Sequence, residues 1–470
     1  MTPAVHNTAS RRRLILAVLS LALCMVVIDN TILSIALPSI SRALHTDETG
    51  LQWISTSYAL VLSGLLLPLA VLGDRFGRKG LLLIGLTVFG VASAAAAFSE
   101  NATQLAALRG VMGIGGACTM PATLAILGNV FPDEHRARAI GIWAATAGLA
   151  AAAGPVIGGF LVERYWWGSV LLVNVPVVIA ALIGAALFVP PSRDPSAPPV
   201  DGWGSLWWTG ALAALLFTII EGPVRGWVSA PVVAGAIVAI GLLVAFARRE
   251  RRAPSPMLAP ETARHPSMLG GATAMTATFF AMFGAQFVLT QWLQGPRGLS
   301  ALSAGLCFGP QAMGGLTGSL GAPRIASRIG HPRMSIYGLL ILASGLFVTT
   351  AGVAADQVPV AIIGFGVVGL GLGSAAASAV ELIMSSVPME RAGTAAGVNE
   401  TIVEATGALG VAVFGSMLSA GAAFAVPLPV GAVGAIAAAY VVSRVSRSSA
   451  ASQASTPASA GTFTTAGAPE

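Results

Sequence analysis

The sequence predicts an all-α integral membrane protein that crosses the bilayer fourteen times. Only 9% of its 470 residues are charged, 55% are hydrophobic, and the mean hydropathy is +0.81. A soluble domain carries roughly 25% charged residues because its surface faces water. Fourteen apolar runs have the roughly 20 residues that a helix needs to span a membrane. A chain of this composition must therefore use lipid as its main solvent.

The apolar runs follow one another along most of the chain, separated by short polar loops. The first run begins directly after Arg11, Arg12 and Arg13 and continues too far for a cleaved signal peptide, so it is predicted to be an uncleaved anchor. The link between the last two runs is short and uncharged, which makes it the weakest boundary. The predicted spans are 14–37, 51–73, 81–99, 102–128, 138–162, 167–189, 204–221, 230–247, 267–294, 301–322, 334–354, 358–386, 393–417 and 422–443.

The basic side chains test this number of spans. With the N-terminus in the cytoplasm, 20 of the 25 lysines and arginines fall on inner segments, four on outer segments and one, Arg109, inside a span. Inner loops of membrane proteins carry such an excess of positive charge, and one missed helix would invert every later assignment. Both termini are therefore expected in the cytoplasm, with the chain in the plasma (inner) membrane. The net charge of +6 then reflects loop anchoring, which argues against a nucleic-acid partner.

A repeat divides the chain into two halves. The loop after the second span, Asp74–Lys79, and the loop after the tenth, Ser327–Arg333, both contain Arg-x-Gly followed by basic residues. Such repeats are typical of secondary transporters, whose substrate site lies between the halves near the membrane midplane. The predicted organisation is a cytoplasmic N-terminus at 1–13, a six-helix bundle at 14–189, a linker with two inserted helices at 190–266, a second six-helix bundle at 267–443 and a disordered cytoplasmic tail at 444–470.

Five ionisable residues within the predicted spans are candidates for function. A charged side chain at the bilayer centre costs at least about 2.5–3.5 kcal/mol, so such residues usually have a role. The candidates for proton coupling and for the substrate cavity are Asp29, Arg109, Glu381, Glu400 and Glu404.

Asp29 and Arg109 are expected at similar depth. Counting the helical rise from the inner end places Asp29 roughly 22 Å up the first span, and Arg109 lies about seven residues from the outer end of the fourth. We expect the two side chains to share one cavity, either paired with each other or competing for one site. The alternative is a static ion pair with only a structural role.

Glu400 and Glu404 are four residues apart and share one face of the thirteenth span. Burial and the neighbouring carboxylate both make ionisation costly, so the two groups are expected to take up and release protons as a coupled pair. Glu381 is predicted at the depth of Glu400. The alternative is that one of the three acids faces inner-loop water. All five histidines fall in loops, so proton coupling would rest on the carboxylates.

Five motifs occur in order along the chain: Val27–Pro38, Gly73–Lys79, Arg109 with Gly113, Gly154–Gly159, and Asn399–Gly410. Together they resemble the major facilitator superfamily, and specifically its fourteen-helix drug:proton antiporter family of quaternary-ammonium and dye exporters. There are departures from the family pattern. Ala70 stands where the loop motif usually begins with glycine, Ser327 replaces the acid of the second copy, and the link between the last two helices is shorter.

The resemblance implies two six-helix bundles, helices 1–6 and 9–14, with two inserted central helices. It implies a proton-coupled antiporter that exports drug-like, lipophilic or cationic molecules, as in antibiotic resistance. It also implies a gate at Asp74, Arg75 and Arg78 that locks the outward-facing state, although topogenic charge alone would explain the arginines. Gly154 and Pro155 are implied as an antiporter hinge, with plain helix packing as the alternative.

Two other functions fit parts of the sequence. The same fold could import a small solute with protons, and a membrane sensor or scaffold would not transport at all. No enzyme motif, metal cluster or cofactor motif is visible, so we expect no enzyme activity, no metal and no cofactor. The expected partners are a small-molecule substrate, protons and the lipid bilayer, and the expected state is a monomer. The basic segment Arg248–Arg252 fits either ordinary loop anchoring or contact with anionic lipid.

Overall fold

A computed structural model describes residues 9–193, 201–252, 260–387 and 392–455, and within these ranges every regular element is an α-helix. The all-α class is therefore confirmed. The helices are α1 Ala9–Leu44, α2 Glu48–Phe76, α3 Arg78–Ala96, α4 Ala102–Val130, α5 Asp133–Arg164, α6 Ser169–Leu172, α7 Asn174–Phe188, α8 Gly202–Arg225, α9 Ala230–Glu250, α10 Pro260–Arg264, α11 Pro266–Gln294, α12 Ala301–Cys307, α13 Gly309–Ile329, α14 His331–Ala354, α15 Val358–Met384, α16 Ala392–Ser419 and α17 Pro427–Ser455.

Thirteen segments within the described ranges are long and apolar enough to cross a membrane, with α6 and α7 forming one of them. The exception among the predicted spans is 301–322. There the chain breaks at Phe308 between α12 and α13, and α13 is rich in glycine and carries Arg324 and Arg328. The mean hydropathy of α13 is therefore lower than that of the thirteen segments, although Met313, Leu316 and Leu320 are exposed on its surface. The number of fourteen crossings therefore stays a prediction.

The buried apolar side chains form two main clusters, one in each half of the chain. The first cluster contains side chains from α1 through α7. The second contains side chains from α11, from α12 and from α14 through α17. The inserted pair α8–α9 packs on α2 and α16, where Leu212, Leu216 and Ile220 meet Ala405 and Ala412. The inserted helices thus lie against one side of the seam between the two bundles.

The two copies of the loop repeat have the same backbone geometry. Gly77 ends α2 and begins α3 with φ +133°, and Gly330 ends α13 and begins α14 with φ +88°. Side chains rarely tolerate a positive φ, whereas glycine adopts it without a Cβ clash. The similarity seen in the sequence is therefore also a similarity of structure. We call the membrane side where these two glycines lie the basic face, because Arg75, Arg78 and Arg328 are close to them in the chain.

The two bundles are joined at the side opposite to the basic face. Gln52 at the start of α2 donates a hydrogen bond to Ser419 at the end of α16 over 3.0 Å. Gln291 near the end of α11 donates to Glu48 over 2.7 Å. Deeper in the protein, Gln286 donates to the hydroxyl of Ser34 over 3.0 Å. These contacts hold the ends of the bundles together away from the basic face.

The chain ends differ from the predicted organisation. The tail predicted to be disordered from 444 begins as helix, because α17 continues to Ser455. Similarly, α1 begins at Ala9 within the segment assigned to the cytoplasmic N-terminus. Helices that leave a bilayer can continue into the aqueous phase, and hydropathy does not mark where they stop. Residues 456–470, and parts of the two long loops at 194–200 and 253–259, lie outside the described residues.

Candidate functional site

A cavity lies between the two bundles and is walled by α1, α2, α11 and α16. The space free of atoms, which includes the open solvent at its mouth, is about 530 Å³. The apolar part of the wall includes Leu33, Phe283, Phe287 and Val411, which would suit a lipophilic ligand. Its polar lining residues are Asn30, Ser34, Ser55, Gln286 and Glu404.

Glu404 is the charged residue in this lining. Its side chain is 8% exposed, and it shares a cavity-facing surface of α16 with Gly407, Ala408 and Val411. Offsets of three, four and seven residues put these positions on one face of a helix. Asn30, on the facing α1, also lines the cavity and lies close to the Glu404 carboxyl group. The carboxyl group therefore lies at the contact between the N-terminal and C-terminal bundles.

Glu400 lies one turn from Glu404 on the side of the basic face. The two carboxyl groups are close enough to interact electrostatically, which agrees with the shared face predicted from their spacing. Glu400 is partly exposed, and it is not among the residues that line the cavity. The structure therefore places one of the two acids in the cavity and the other next to it.

Asp29 and Arg109 are paired, as one of the two predicted arrangements required. Nη1 of Arg109 on α4 donates to Oδ2 of Asp29 on α1, and both side chains are 0% exposed. A second donor, Nδ2 of Asn174 on α7, reaches Oδ1 of Asp29 over 2.8 Å. The expectation that the two side chains share the cavity was wrong, because the pair lies inside the N-terminal bundle and neither residue lines the cavity. The pair therefore ties α1, α4 and α7 together.

Three residues around this pair were missed by the sequence analysis. Asn174 also donates to the hydroxyl of Ser93 over 3.1 Å, and the guanidinium carbon of Arg109 lies 4.6 Å from the ring centroid of Tyr58. A cation over an aromatic face is attracted by the ring quadrupole. The amide side chain of Asn174 could have been noticed in the sequence, because a polar residue within an apolar run indicates a buried hydrogen-bonding partner. Ser93 and Tyr58 give none, because neutral hydroxyls are common in spanning helices.

Arg109 connects this buried network with the cavity. Its Nε and Nη2 are buried without a hydrogen-bond partner, and it lies within electrostatic range of Glu404. Tyr58 lies within range of Asp29, Arg109 and Glu404 at once. Fields act over longer distances in an apolar interior than in water. A change of charge at Glu404 would therefore be felt by the pair in the N-terminal bundle.

Glu381 is placed differently from the prediction. It lies one turn before the end of α15 and is exposed, and it does not line the cavity. Depth along a helix fixes only the height of a residue, whereas its face is set by packing. The small residues of α15 pack against α13 and α14, and Glu381 lies on a face of α15 outside these two helix contacts.

The predicted gate residues lie at the junction of α2 and α3. Nε of Arg78 donates to Oδ1 of Asp74 over 2.6 Å, within one helical turn of chain. Arg75 is exposed, with its guanidinium 5.7 Å from the ring of Phe76. Lys79 donates to the carbonyl of Ala186 over 2.7 Å. The contacts formed by this motif are thus within the N-terminal bundle.

Gly154 and Pro155 lie where α5 crosses α1 and α12. A Cβ at Gly154 would clash with Thr31 of α1, and a Cβ at Gly159 would lie 2.5 Å from the carbonyl oxygen of Ala301 on α12. From the other side, a Cβ at Gly305 would clash with the carbonyl of Pro155. Small residues permit such close approach of helix backbones. The motif therefore provides a backbone contact between the two bundles.

A largely apolar cavity between two related helical bundles, with a carboxyl group in its wall, is the arrangement of a multi-pass membrane transporter. The family model described as Major Facilitator Superfamily matches residues 19–411. The chain belongs to that superfamily.

Curated relatives agree with this assignment. The chain is 34% identical to the "Multidrug efflux pump LfrA" of Mycolicibacterium smegmatis, over 92% of this chain and 85% of the relative. It is 32% identical to the "Tetracenomycin C resistance and export protein" of Streptomyces glaucescens, over 86% and 75%. It is 35% identical to the "Methyl viologen resistance protein SmvA" of Salmonella typhimurium, over 90% and 85%. Among solved structures, a POT family transporter with 5-aminolevulinic acid has a TM-score of 0.70 at 14% identity, over 92% of this chain and 96% of that one, which shows a common fold.

Proposed function

We propose that this chain exports drug-like, lipophilic or cationic small molecules from the cytoplasm in exchange for protons. The observation that carries the proposal is the position of Glu404, a nearly buried carboxyl group in an apolar cavity between the two bundles. The names of the relatives, which are efflux pumps and resistance proteins, support export as the direction and drugs as the substrate class.

The cavity supports a simple exchange. A carboxyl group in apolar surroundings can hold either a proton or the charge of a bound cation, but an unpaired charge there is costly. A lipophilic cation that enters from the cytoplasm would replace the proton on Glu404. A proton that arrives from outside would then replace the cation. Phe283 and Phe287 would contribute adaptable apolar contact to the substrate.

The remaining candidates have supporting roles in this scheme. The pair of Asp29 and Arg109 holds α1 and α4 in register, and this fixes Asn30 opposite Glu404. Glu400 is the neighbouring acid that makes charge on Glu404 more costly. The motif at Asp74, Arg75 and Arg78 is proposed as the inner gate. The crossing at Gly154 and Pro155 is proposed as the hinge, since it joins the bundles by backbone contact.

The proposed topology places the basic face in the cytoplasm of a bacterial plasma membrane. The excess of arginine and lysine on that side supports this orientation. With α12 and α13 as the fourteenth crossing, both ends of the chain lie inside. In that orientation the hydrogen bonds of Gln52 and Gln291 close the outer side, and the bundles would separate there to release the substrate. One chain contains the whole cavity, so a monomer is sufficient.

Transport into everted membrane vesicles tests the proposal. An acid interior should drive accumulation of a fluorescent lipophilic cation such as ethidium, and Glu404→Gln should reduce it to the level of vesicles without the protein. Glu381→Gln is the matched control, since that acid lies outside the cavity. Full accumulation by the Glu404 variant, or a gradient that drives the cation out of the everted vesicles, would contradict proton-coupled export.

A further inference from the structure

A second, larger cavity lies outside the bundle interface. It is a groove with about 1580 Å³ free of atoms, bounded by the inserted pair α8–α9 on one side and by α16 on the other, with α2 and α11 at its edges.

The groove opens because α8–α9 diverges from α16 toward the basic face. Near the opposite face the contact is close, since Trp53 donates to Glu221 of α8 over 3.1 Å and Ser416 of α16 donates to the carbonyl of Ile219 over 2.6 Å. Nearer the basic face α8 leans on α2, where Thr209 meets Gly64. None of the described residues fills the space between α8–α9 and α16 on this side.

The walls of the groove are apolar over most of their length. Trp208 and Phe246, with ring centroids 5.6 Å apart, line the side of the inserted pair, and Val398, Ile402 and Leu409 line the side of α16. Water in such a groove would find few polar partners. Alkyl chains fit this wall, since apolar contact is what it offers.

The mouth of the groove at the basic face carries charge. Arg251 and Arg264 line it and are exposed, and Glu250 also lines it. Arg249 is already paired with Asp201 over 2.7 Å. The described charges of this region are Arg248, Arg249, Arg251, Arg252 and Arg264 against Asp201, Glu250 and Glu261. The mouth therefore has a net positive charge, and the groove next to it is apolar.

We propose that this groove binds an anionic phospholipid of the cytoplasmic leaflet. Its acyl chains lie between α8–α9 and α16, and its phosphate lies against Arg251 and Arg264. Basic pockets between spanning helices on the cytoplasmic side are suited to anionic headgroups. A lipophilic cation fits the same walls, but the two arginines repel it at the mouth, which is why a lipid is the assigned occupant. The assignment uses the proposed orientation and does not depend on the transport scheme.

The site would also act on the coupling helix. Val398, Thr401, Ile402 and Ala405 of α16 face the groove, whereas Glu404, the residue before Ala405, faces the central cavity. A lipid in the groove thus contacts the opposite side of the helix that carries the cavity acid.

Quenching of Trp208 by brominated phospholipids tests the assignment. The full chain is reconstituted in phosphatidylcholine vesicles with increasing fractions of dibrominated phosphatidylglycerol or dibrominated phosphatidylcholine. The Trp208 signal is the difference between the native chain and Trp208→Phe. Half-maximal quenching is expected at a much lower fraction of dibrominated phosphatidylglycerol than of dibrominated phosphatidylcholine. Removing both mouth charges, in Arg251→Gln with Arg264→Gln, should weaken that preference by roughly fivefold for each arginine.

Arg252→Gln is the matched control, because this exposed neighbour does not line the groove, and it should keep the preference. If the glutamine pair does not fold, Arg251→Lys with Arg264→Lys keeps the charge and should keep the preference. Equal quenching by both lipids would overturn the proposal, as would a loss in Arg252→Gln equal to that in the glutamine pair. Displacement of the quencher by ethidium, but not by unbrominated phosphatidylglycerol, would assign the groove to solute instead. No gradient is applied, so this outcome is separate from that of the transport assay.

Discussion

Arg109 on α4 donates a hydrogen bond to Asp29 on α1, and the two side chains are buried together in the middle of the N-terminal bundle. The arginine has further buried N–H groups without a hydrogen-bond partner. Its charge is therefore compensated mainly by this one carboxylate, with the ring of Tyr58 as a weaker partner. Loss of the carboxylate would leave a cation in an apolar interior.

Neutralising Asp29 should destabilise the fold. Breaking a buried ion pair from one side costs about 3–5 kcal/mol, because the remaining charge is left uncompensated. We expect Asp29→Asn to unfold at a lower temperature in detergent, and addition of Arg109→Gln to recover part of the loss. Asp356→Asn is the control, since its pair with Arg297 is exposed and such pairs contribute about 0–1 kcal/mol. Native-like stability of Asp29→Asn together with lost transport would instead assign the pair to coupling alone.

Binding of a lipophilic cation should release protons from the central cavity. The proposed exchange at Glu404 requires that the cation replace a proton, so ethidium added to the purified protein in weak buffer should acidify the solution by at most about one proton per site. A pH-indicator dye measures the release. Glu404→Gln should abolish it and Glu381→Gln should not. Release of the same size from the Glu404 variant would move the exchange to another carboxyl group.

A side chain at Gly159 should prevent the bundles from closing at the outer end. Its Cβ would lie 2.5 Å from the carbonyl oxygen of Ala301, which is nearer than real Cβ contacts come. We expect Gly159→Ala to separate α5 from α12, which a spin-label distance between their outer ends would report as an increase. Gly148→Ala on the same helix is the control, because open space surrounds that position. An unchanged distance in both variants would show that this crossing does not limit closure.

Alanine at either repeat glycine should reduce stability. Gly77 and Gly330 have positive φ, where a side chain in a sparsely populated backbone region costs about 1–3 kcal/mol. Both variants should therefore unfold at a lower temperature. Gly80→Ala lies in the first turns of α3 with open space around it, and it should be neutral or stabilising by up to about 1 kcal/mol. If Gly77→Ala and Gly80→Ala behave alike, backbone strain is not the reason for glycine in the motif.

Hydropathy and charge predicted much of the fold. Thirteen apolar segments and the repeat at Gly77 and Gly330 follow from composition and local pattern. Contact with lipid selects apolar residues, and a positive φ selects glycine, so both leave a mark at single positions of the sequence. The interruption at Phe308 did not follow, because hydropathy does not show where one helix ends and the next begins within an apolar run. Neither did the helical extension to Ser455, which continues beyond the apolar run.

The site was predicted in part. The meeting of Asp29 with Arg109 followed from equal depth in the membrane, and the shared face of Glu400 and Glu404 from their spacing. The exposure of Glu381 could not be derived, because the rotation of a helix about its axis depends on its neighbours. The contribution of Asn174 required three helices to come together, which no single stretch of sequence encodes.

The close approach of α5 and α12 at Gly159 and Gly305 has a mechanical consequence. It presses the backbone of α5 against that of α12 with no side chain between them. Parting such surfaces requires no side chain to repack. The N–H of Leu302, which donates to the exposed carboxylate of Glu163 over 3.3 Å, can bond to water instead, so the barrier to motion there is small. If the two bundles rock against each other, this crossing can serve as a fulcrum that is used in every cycle and restored without repacking.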